Sequence, residues 1–274
     1  KETRLDLVFG STGCSERTIL QTMDEVDARL QLQRLTCADG SEDQEETDDS
    51  DEEDAITFRT QNLNDRLTRI SEEYRSTHFL AVQVTNKELV RELVGVQRRI
   101  VEQEPILHEC CMKEGLFHIT LGMLRIDDIQ GIQAAVDMVD QLKDDAAALI
   151  HGRDKSLEIK NLSQFGHRVV YAEVHPADPQ LFQDMVQLIN TRFTAIKDKV
   201  KSTNDFEFIP HLTLLKVSRP IARLRKSKYI DQSHYSASAS QHFGSQGLDN
   251  LQLCIIESST RRDGFYTTLT DIKF

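Results

Sequence analysis

The sequence predicts an α+β fold of two lobes related by a pseudo-twofold axis, each lobe a small antiparallel sheet with helices on its outer side. A strand–helix–strand unit is written twice, once over residues 77–126 and again over 168–217. Each copy ends in an apolar strand carrying His-x-Thr, LFHITLGML in the first and FIPHLTLLKV in the second. A repeated unit whose elements each bury one face calls for layered packing of two similar halves, with the matching strands facing across a cleft.

The elements follow in order. Thr77–Thr85 (THFLAVQVT) is rich in alternating apolar and β-branched residues, the pattern of a strand. Asn86 is placed to cap a helix that runs to Gln103, with Leu89, Leu93, Val96 and Ile100 recurring at helical spacing. Leu116–Ile126 is a second strand, and a helix follows over Asp128–Ile150. In the second half, Leu157–Phe165 and Arg168–His175 read as strands. Asp178–Val200 reads as a helix with Leu181, Met185, Leu188, Ile189 and Phe193 apolar, and Phe208–Val217 as the strand of the second motif. Residues 218–245 read as a basic and then polar loop. Leu248–Ser258 and Gly264–Phe274 pair as a hairpin over the Arg-Arg-Asp-Gly turn.

The domain thus spans residues 77–274. Residues 55–76 read as a helical lead-in, 39–54 as an acidic disordered linker, and 1–38 as an extension of unassigned role. In that extension Leu5–Phe9 suits a short strand, and GSTGCSERT lacks the Gly-Lys-Ser/Thr of a phosphate-binding loop. The net charge of −12 is local: residues 39–54 hold eleven acids and no base, and residues 1–38 hold six acids and five bases. The rest of the chain is neutral, so the acidity does not oppose a phosphate-binding pocket. Thr47 and Ser50 lie among acids in a context that acidophilic kinases prefer, but the segment is read as an unmodified spacer.

Five cysteines, irregularly spaced and with Cys110 and Cys111 adjacent, suit neither a disulfide scaffold nor a zinc knuckle. No stretch approaches the roughly 18–20 apolar residues of a membrane span. A soluble intracellular protein, cytoplasmic or nuclear and away from membranes, is expected. The first residue is Lys, so the sequence is expected to be a fragment or a processed form.

The chemistry rests on four residues. In a strand, positions i and i+2 share a face. His118 and Thr120 therefore point together, as do His211 and Thr213, while Phe117, Ile119 and Leu121, and Leu212 and Leu214, anchor the other face. Cleaving a phosphodiester needs a base for the attacking oxygen and an acid for the leaving one, and histidine serves either role near neutral pH. Threonine hydroxyls beside the histidines can bind the non-bridging oxygens. The scheme needs no metal and no cofactor, and no carboxylate–histidine constellation for holding a metal is evident.

With these motifs on a bilobal repeat, the chain resembles the two-histidine (2H) phosphoesterases, and in particular the A-kinase anchor protein 7-like phosphoesterase domains. The segments THFLAVQVTNKE, LFHITLGML, SQFGHRVVYAEV, FEFIPHLTLLKVSR and HFGSQGLDNLQLCIIESSTRRDGFY carry the likeness over residues 75–274. It implies the 2H (RNA-ligase-like) fold, and an AMP-like nucleotide or short oligonucleotide bound between the lobes. It further implies cleavage of 2′,5′-linked oligoadenylate or of 2′,3′-cyclic phosphates. His118, Thr120, His211 and Thr213 carry over as the catalytic motif, and Phe79, Phe165 and Tyr266 as lining of the base pocket. The competing expectation is a nucleotide-binding scaffold without turnover. Anchoring members place a helix for the protein kinase A regulatory subunit after this domain. The sequence ends at Phe274 without one, so that partner is not supported here, and a monomer is expected. Separately, Arg219, Arg223, Arg225, Lys226 and Lys228 follow the second motif and are candidates for holding further phosphates, Arg219 foremost.

Overall fold

A computed structural model describes residues 75–202 and 209–274. The chain divides into two compact units, Lys1–Asn62 and Leu63–Phe274, and every described residue belongs to the second. The expectations for residues 1–38, 39–54 and 55–74 lie outside the described residues.

The first copy of the repeat contributes β1 (His78–Gln83), α1 (Lys87–Gln103) and β2 (His118–Arg125), followed by α2 (Ile129–Ile150). The second contributes β3 (Ser156–Phe165), β4 (Val169–Pro176), α3 (Pro179–Thr194), the two-residue β5 (Lys201–Ser202) and β6 (His211–Lys216). After them come α4 (Arg219–Arg225), β7 (His242–Gly247), β8 (Asn250–Ile255) and β9 (Thr268–Lys273). The helices start where side chains satisfy the first free amides. Asn86 Oδ1 accepts from the amides of Glu88 (3.0 Å) and Leu89 (3.3 Å). Asp128 Oδ1 accepts from Gly131 (2.7 Å), and Asp178 Oδ1 from Leu181 (2.9 Å).

The strands form two antiparallel sheets, ordered β5-β2-β1-β8-β9 and β6-β4-β3-β7. The fold is therefore the expected α+β arrangement with one sheet per lobe. The two motif strands hold corresponding places: β2 pairs with β1, and β6 pairs with β4. Both pairings break register at the same point. Leu80 faces Gly122 while Ala81 faces Thr120, leaving Leu121 unpaired. Val170 faces Leu215 while Tyr171 faces Thr213, leaving Leu214 unpaired. The pseudo-symmetry thus extends to a β-bulge three residues beyond each histidine, where a bulge re-aims the side chains that follow.

Four sequence expectations change. Residues 218–245 are not only loop: they hold α4, capped by Ser218 with Pro220 in its first turn, and the first residues of β7, which completes the small sheet. The interrupted run HFGSQG masked that strand. The helix expected to reach Val200 ends at Thr194 in a series of turns. The C-terminal hairpin pairs only Asn250–Ile255 with Thr268–Lys273, and Tyr266 lies in the connecting segment. The helices also do not simply cover their own lobes. α1, which connects two strands of the large sheet, lies against β7 and β6 of the small one, and α3, from the small lobe, lies against β2 and β5 of the large one. The core is correspondingly continuous: Leu80, Val82, Leu89, Ile119, Leu121, Ile159, Ala172, Leu212 and Leu214 belong to one buried cluster.

Gln97 of α1 ties the lobes where this crossing occurs. It is 6% exposed, and its Nε2 donates to the carbonyl of Met112 (2.7 Å) and to that of Leu214 (2.8 Å), the bulge residue beyond His211. The Met112 amide donates to the same Leu214 carbonyl (2.7 Å). Among the described residues, no helix is long and apolar enough to cross a membrane.

Candidate active site

The strand alternation and the paired bulges decide which side chains meet at the site. Before each bulge, His118 and Thr120, and His211 and Thr213, point away from the core, while Ile119, Leu121, Leu212 and Leu214 are fully buried. After the bulge, the parity flips. Leu124 and Ile126, and Leu215 and Val217, continue the core, so Met123 and Lys216 share the face of the histidines.

Each histidine is held by its own backbone. His118 Nδ1 lies 2.7 Å from the carbonyl of Leu116, and His211 Nδ1 lies 2.8 Å from the carbonyl of Ile209. A carbonyl oxygen only accepts, so both Nδ1 atoms carry the proton and both Nε2 atoms keep the basic lone pair. The same two-residue back-bond in both lobes makes the imidazoles equivalent in tautomer. Among the described residues, nothing hydrogen-bonds to either Nε2 or to the hydroxyls of Thr120 and Thr213.

Aromatic rings pack around each imidazole. His118 lies 5.0 Å from the Phe79 ring and 5.2 Å from Tyr266, with Phe265 at 6.5 Å. His211 lies 4.9 Å from Phe165 and 5.4 Å from Tyr171, and those two rings stack at 4.1 Å. Burial pushes the His118 imidazolium down to about 4; the bond to Leu116 opposes this, and the charge of His211 adds to it. His211 is also lowered, first by burial, against its bond to Ile209 and with repulsion from Lys216. Lys216 keeps an exposed side chain, yet desolvation of its ammonium still lowers its pKa, with Arg168 repelling it and Glu257 opposing.

The structure brings seven of the eight sequence candidates together: His118, Thr120, Phe79 and Tyr266 in one half, His211, Thr213 and Phe165 in the other. Arg219 is exposed in the first turn of α4, and among the described residues no contact joins it to either histidine. Three residues of the site escaped the sequence reading. Tyr171 was legible, since Val170, Ala172 and Val174 alternate onto the core and leave it on the other face. Phe265 lay inside the predicted hairpin. Lys216 falls on the core face if β6 alternates without interruption. The signal for the bulge was the adjacent apolar pair Leu214–Leu215, since two consecutive core residues break a period of two.

Of the basic cluster after β6, Arg225 is committed to structure. It is almost fully buried, and its guanidinium grips Glu104 with two bonds of 2.7 and 2.8 Å and also donates to the carbonyl of Tyr229. Among the described residues, no group of three or more His, Cys, Asp or Glu side chains is placed to hold a metal ion.

A family model described as the AKAP7 2'5' RNA ligase-like domain matches residues 76–274. The human A-kinase anchor protein 7 isoform gamma is 26% identical over 196 residues, which is 71% of this chain and 56% of that protein. The chain thus spans about half the length of this curated relative. Among solved structures, TT0787 of Thermus thermophilus aligns with a TM-score of 0.48 at 15% identity, covering 72% of this chain and 97% of that one. Escherichia coli LigT complexed with 3'-AMP aligns at 0.42 and 15%, covering 73% and 98%. The ns2 PDE domain of MHV aligns at 0.44 and 17%, covering 66% and 99%.

Proposed function

The chain belongs to the AKAP7 2'5' RNA ligase-like domain family, and from that premise we propose that it is a phosphodiesterase of the two-histidine class acting on nucleotide phosphodiesters, of the 2′,5′-oligoadenylate or 2′,3′-cyclic phosphate type. One observation carries the reading. Two imidazoles, each with Nδ1 held by the carbonyl two residues earlier, expose a basic Nε2 beside a free threonine hydroxyl at equivalent places in the two lobes.

The chemistry follows from that arrangement. With a phosphate between the lobes, one Nε2 takes the proton of the attacking oxygen as it bonds to phosphorus. For a 2′,3′-cyclic phosphate the attacker is water; for a 2′,5′ linkage it is the neighbouring ribose hydroxyl. The phosphorus–oxygen bond to the leaving group breaks, and that oxygen takes a proton from the other Nε2. Thr120 and Thr213 donate to the non-bridging oxygens, and the Lys216 ammonium offsets their growing charge. His118, with the more deeply depressed pKa, suits the base; His211 suits the acid, protonated when the anionic phosphate arrives. The reaction in this form needs no metal.

A second reading, a nucleotide-binding scaffold without turnover, is favoured by one fact: both imidazoles are lowered in the free protein, so neither is a ready acid at neutral pH. Incubation with 2′,5′-linked triadenylate and with 2′,3′-cyclic AMP in excess EDTA, beside His118→Ala and His211→Ala, separates the two. Turnover abolished by both substitutions supports the phosphodiesterase. Stoichiometric AMP binding without product from either diester supports the scaffold.

A further inference from the structure

We propose that Tyr229, backed by His167, is a stacking subsite for a base of a single-stranded oligonucleotide, beyond the phosphate that is cleaved. The proposal rests on the phosphodiesterase reading of the cleft and extends it to substrates longer than two nucleotides.

Among the described residues, Tyr229 is one of few large apolar side chains left in solvent, 54% exposed. Its ring meets that of exposed His167 edge-on at 5.8 Å, and Lys228 Nζ lies 5.6 Å from its centroid. Both residues are held firmly. The amide of Ile230 donates to the His167 carbonyl (2.7 Å), Gln164 Nε2 donates to the Ile230 carbonyl (2.9 Å), and Arg225 donates to the Tyr229 carbonyl (3.0 Å). Ile230 itself is anchored in the core at 2% exposure. An exposed aromatic ring on a fixed backbone offers a base a π-face with little ordering cost on binding.

The platform also lies where an extended substrate would pass. Phe165, at the end of β3, touches His211, and His167 follows two residues later at the tip of the β3–β4 turn. Two Cα–Cα steps place His167 within about 7 Å of Phe165 along the chain. Gly166 (φ 54°) and His167 (φ 55°) both take left-handed backbone there, a conformation a histidine adopts only against steric resistance, and it sets the ring at the tip of the hairpin.

The charges match a phosphate backbone. Lys216 lies near enough to His211 to repel its imidazolium, and near enough to Arg168, which follows His167 in the chain, for those two charges to repel each other. Arg219 and Arg223 are exposed on neighbouring α4, and among the described residues neither has a carboxylate partner. Aromatic surface flanked by cations is the composition that binds single strands with little sequence preference.

The test measures binding in a His118→Ala background, so that the ligand survives. Fluorescence anisotropy compares a 2′,5′-linked adenylate dimer with the tetramer, in that background and with Tyr229→Ala or Tyr229→Phe added. The tetramer is expected to bind at least tenfold more tightly than the dimer. Tyr229→Ala should erase that gain while leaving the dimer unchanged, and Tyr229→Phe should keep it. Equal affinities for dimer and tetramer in the parent, or equal weakening of both by Tyr229→Ala, overturn the subsite and leave the exposed ring to a protein partner. Turnover with native histidines is read separately. A tetramer held through Tyr229 but never cleaved removes the phosphodiesterase and retains the subsite.

Discussion

Lys216 occupies in the small sheet the position that Met123 occupies in the large one. Each lies five residues beyond its histidine, past the bulge, on the face that carries the histidine. In one lobe that position packs among Phe79, Phe265 and Tyr266; in the other it carries an ammonium. The repeat is therefore symmetric in backbone and asymmetric in charge, and the asymmetry belongs to the half that holds His211.

Replacing the ammonium by the methionine of the other lobe tests its role. Lys216→Met is expected to lower kcat/KM by about ten- to a hundredfold, the loss of one charge-assisted contact to phosphate, roughly 1.4–2.7 kcal/mol. Because Lys216 repels the imidazolium of His211, the same change should raise the pKa of His211. A pH series of the imidazole resonances by NMR reads this directly, and an unmoved His211 speaks against the contact.

The two lowered histidines set the pH profile. With one imidazole required neutral and the other protonated, the kcat/KM bell should centre below the ordinary histidine value of about 6.5. The kcat bell should lie further toward alkaline pH, since bound phosphate favours the protonated acid. A kcat/KM profile flat from pH 6 to pH 9 speaks against the assignment.

Stability carries the same signature. A histidine whose folded pKa is depressed contributes stability that is present above the unfolded value and lost as pH falls toward the folded one. For His118 the window runs from about 6.5 down to about 4, and the loss across it is on the order of 2–3 kcal/mol. The melting temperature should fall through that range, and less steeply in His118→Asn. Equal slopes for the two proteins would show that His118 is not desolvated in solution.

Arg225 and Arg223, neighbours on one short helix, should separate cleanly in role. Arg225→Met removes both bonds to the half-buried Glu104 carboxylate, leaving it only His234 Nδ1 at 3.8 Å, and should cost about 1–3 kcal/mol of stability. It should leave the salt dependence of oligonucleotide binding unchanged. Arg223→Ala should leave the stability within about 0.5 kcal/mol of the parent. It should also flatten the salt dependence of binding, which titration across ionic strengths would show.

Gln97→Leu removes the donor that spans the lobes and strands the Met112 carbonyl, at a cost of about 1–3 kcal/mol. If Gln97 spaces the two histidines, kcat should fall by more than the loss of folded protein explains, while AMP affinity changes little. Loss of melting temperature alone, with normal kcat at low temperature, would make it a packing residue only.

The parts legible in the sequence were those written in short-range periodicity. The strands and helices of the repeat, the Asn86 cap and the facing of each His-x-Thr pair all follow from spacing along the chain, and they place the candidate catalytic residues. What the sequence withheld depends on pairing across long separations. β7 reads as loop because HFGSQG carries two glycines, and only its pairing with β3 makes it a strand. Lys216 reaches the site only through a register break against β4. Arg225 looked like one more surface cation, and Glu104, 121 residues away, makes it structural.

The crossed helices have a consequence for how the protein handles its ligands. Because α1 rests on the small sheet and α3 on the large one, neither half has a complete interior of its own, and the repeat cannot come apart into two independent folding units. Opening the lobes like a book would expose core rather than bend a linker. The gap between the histidines is thus held by the packing of both halves, and under the proposed function discrimination would fall to the size and bend of the phosphodiester, much as a calliper locked at one width sorts what passes through it.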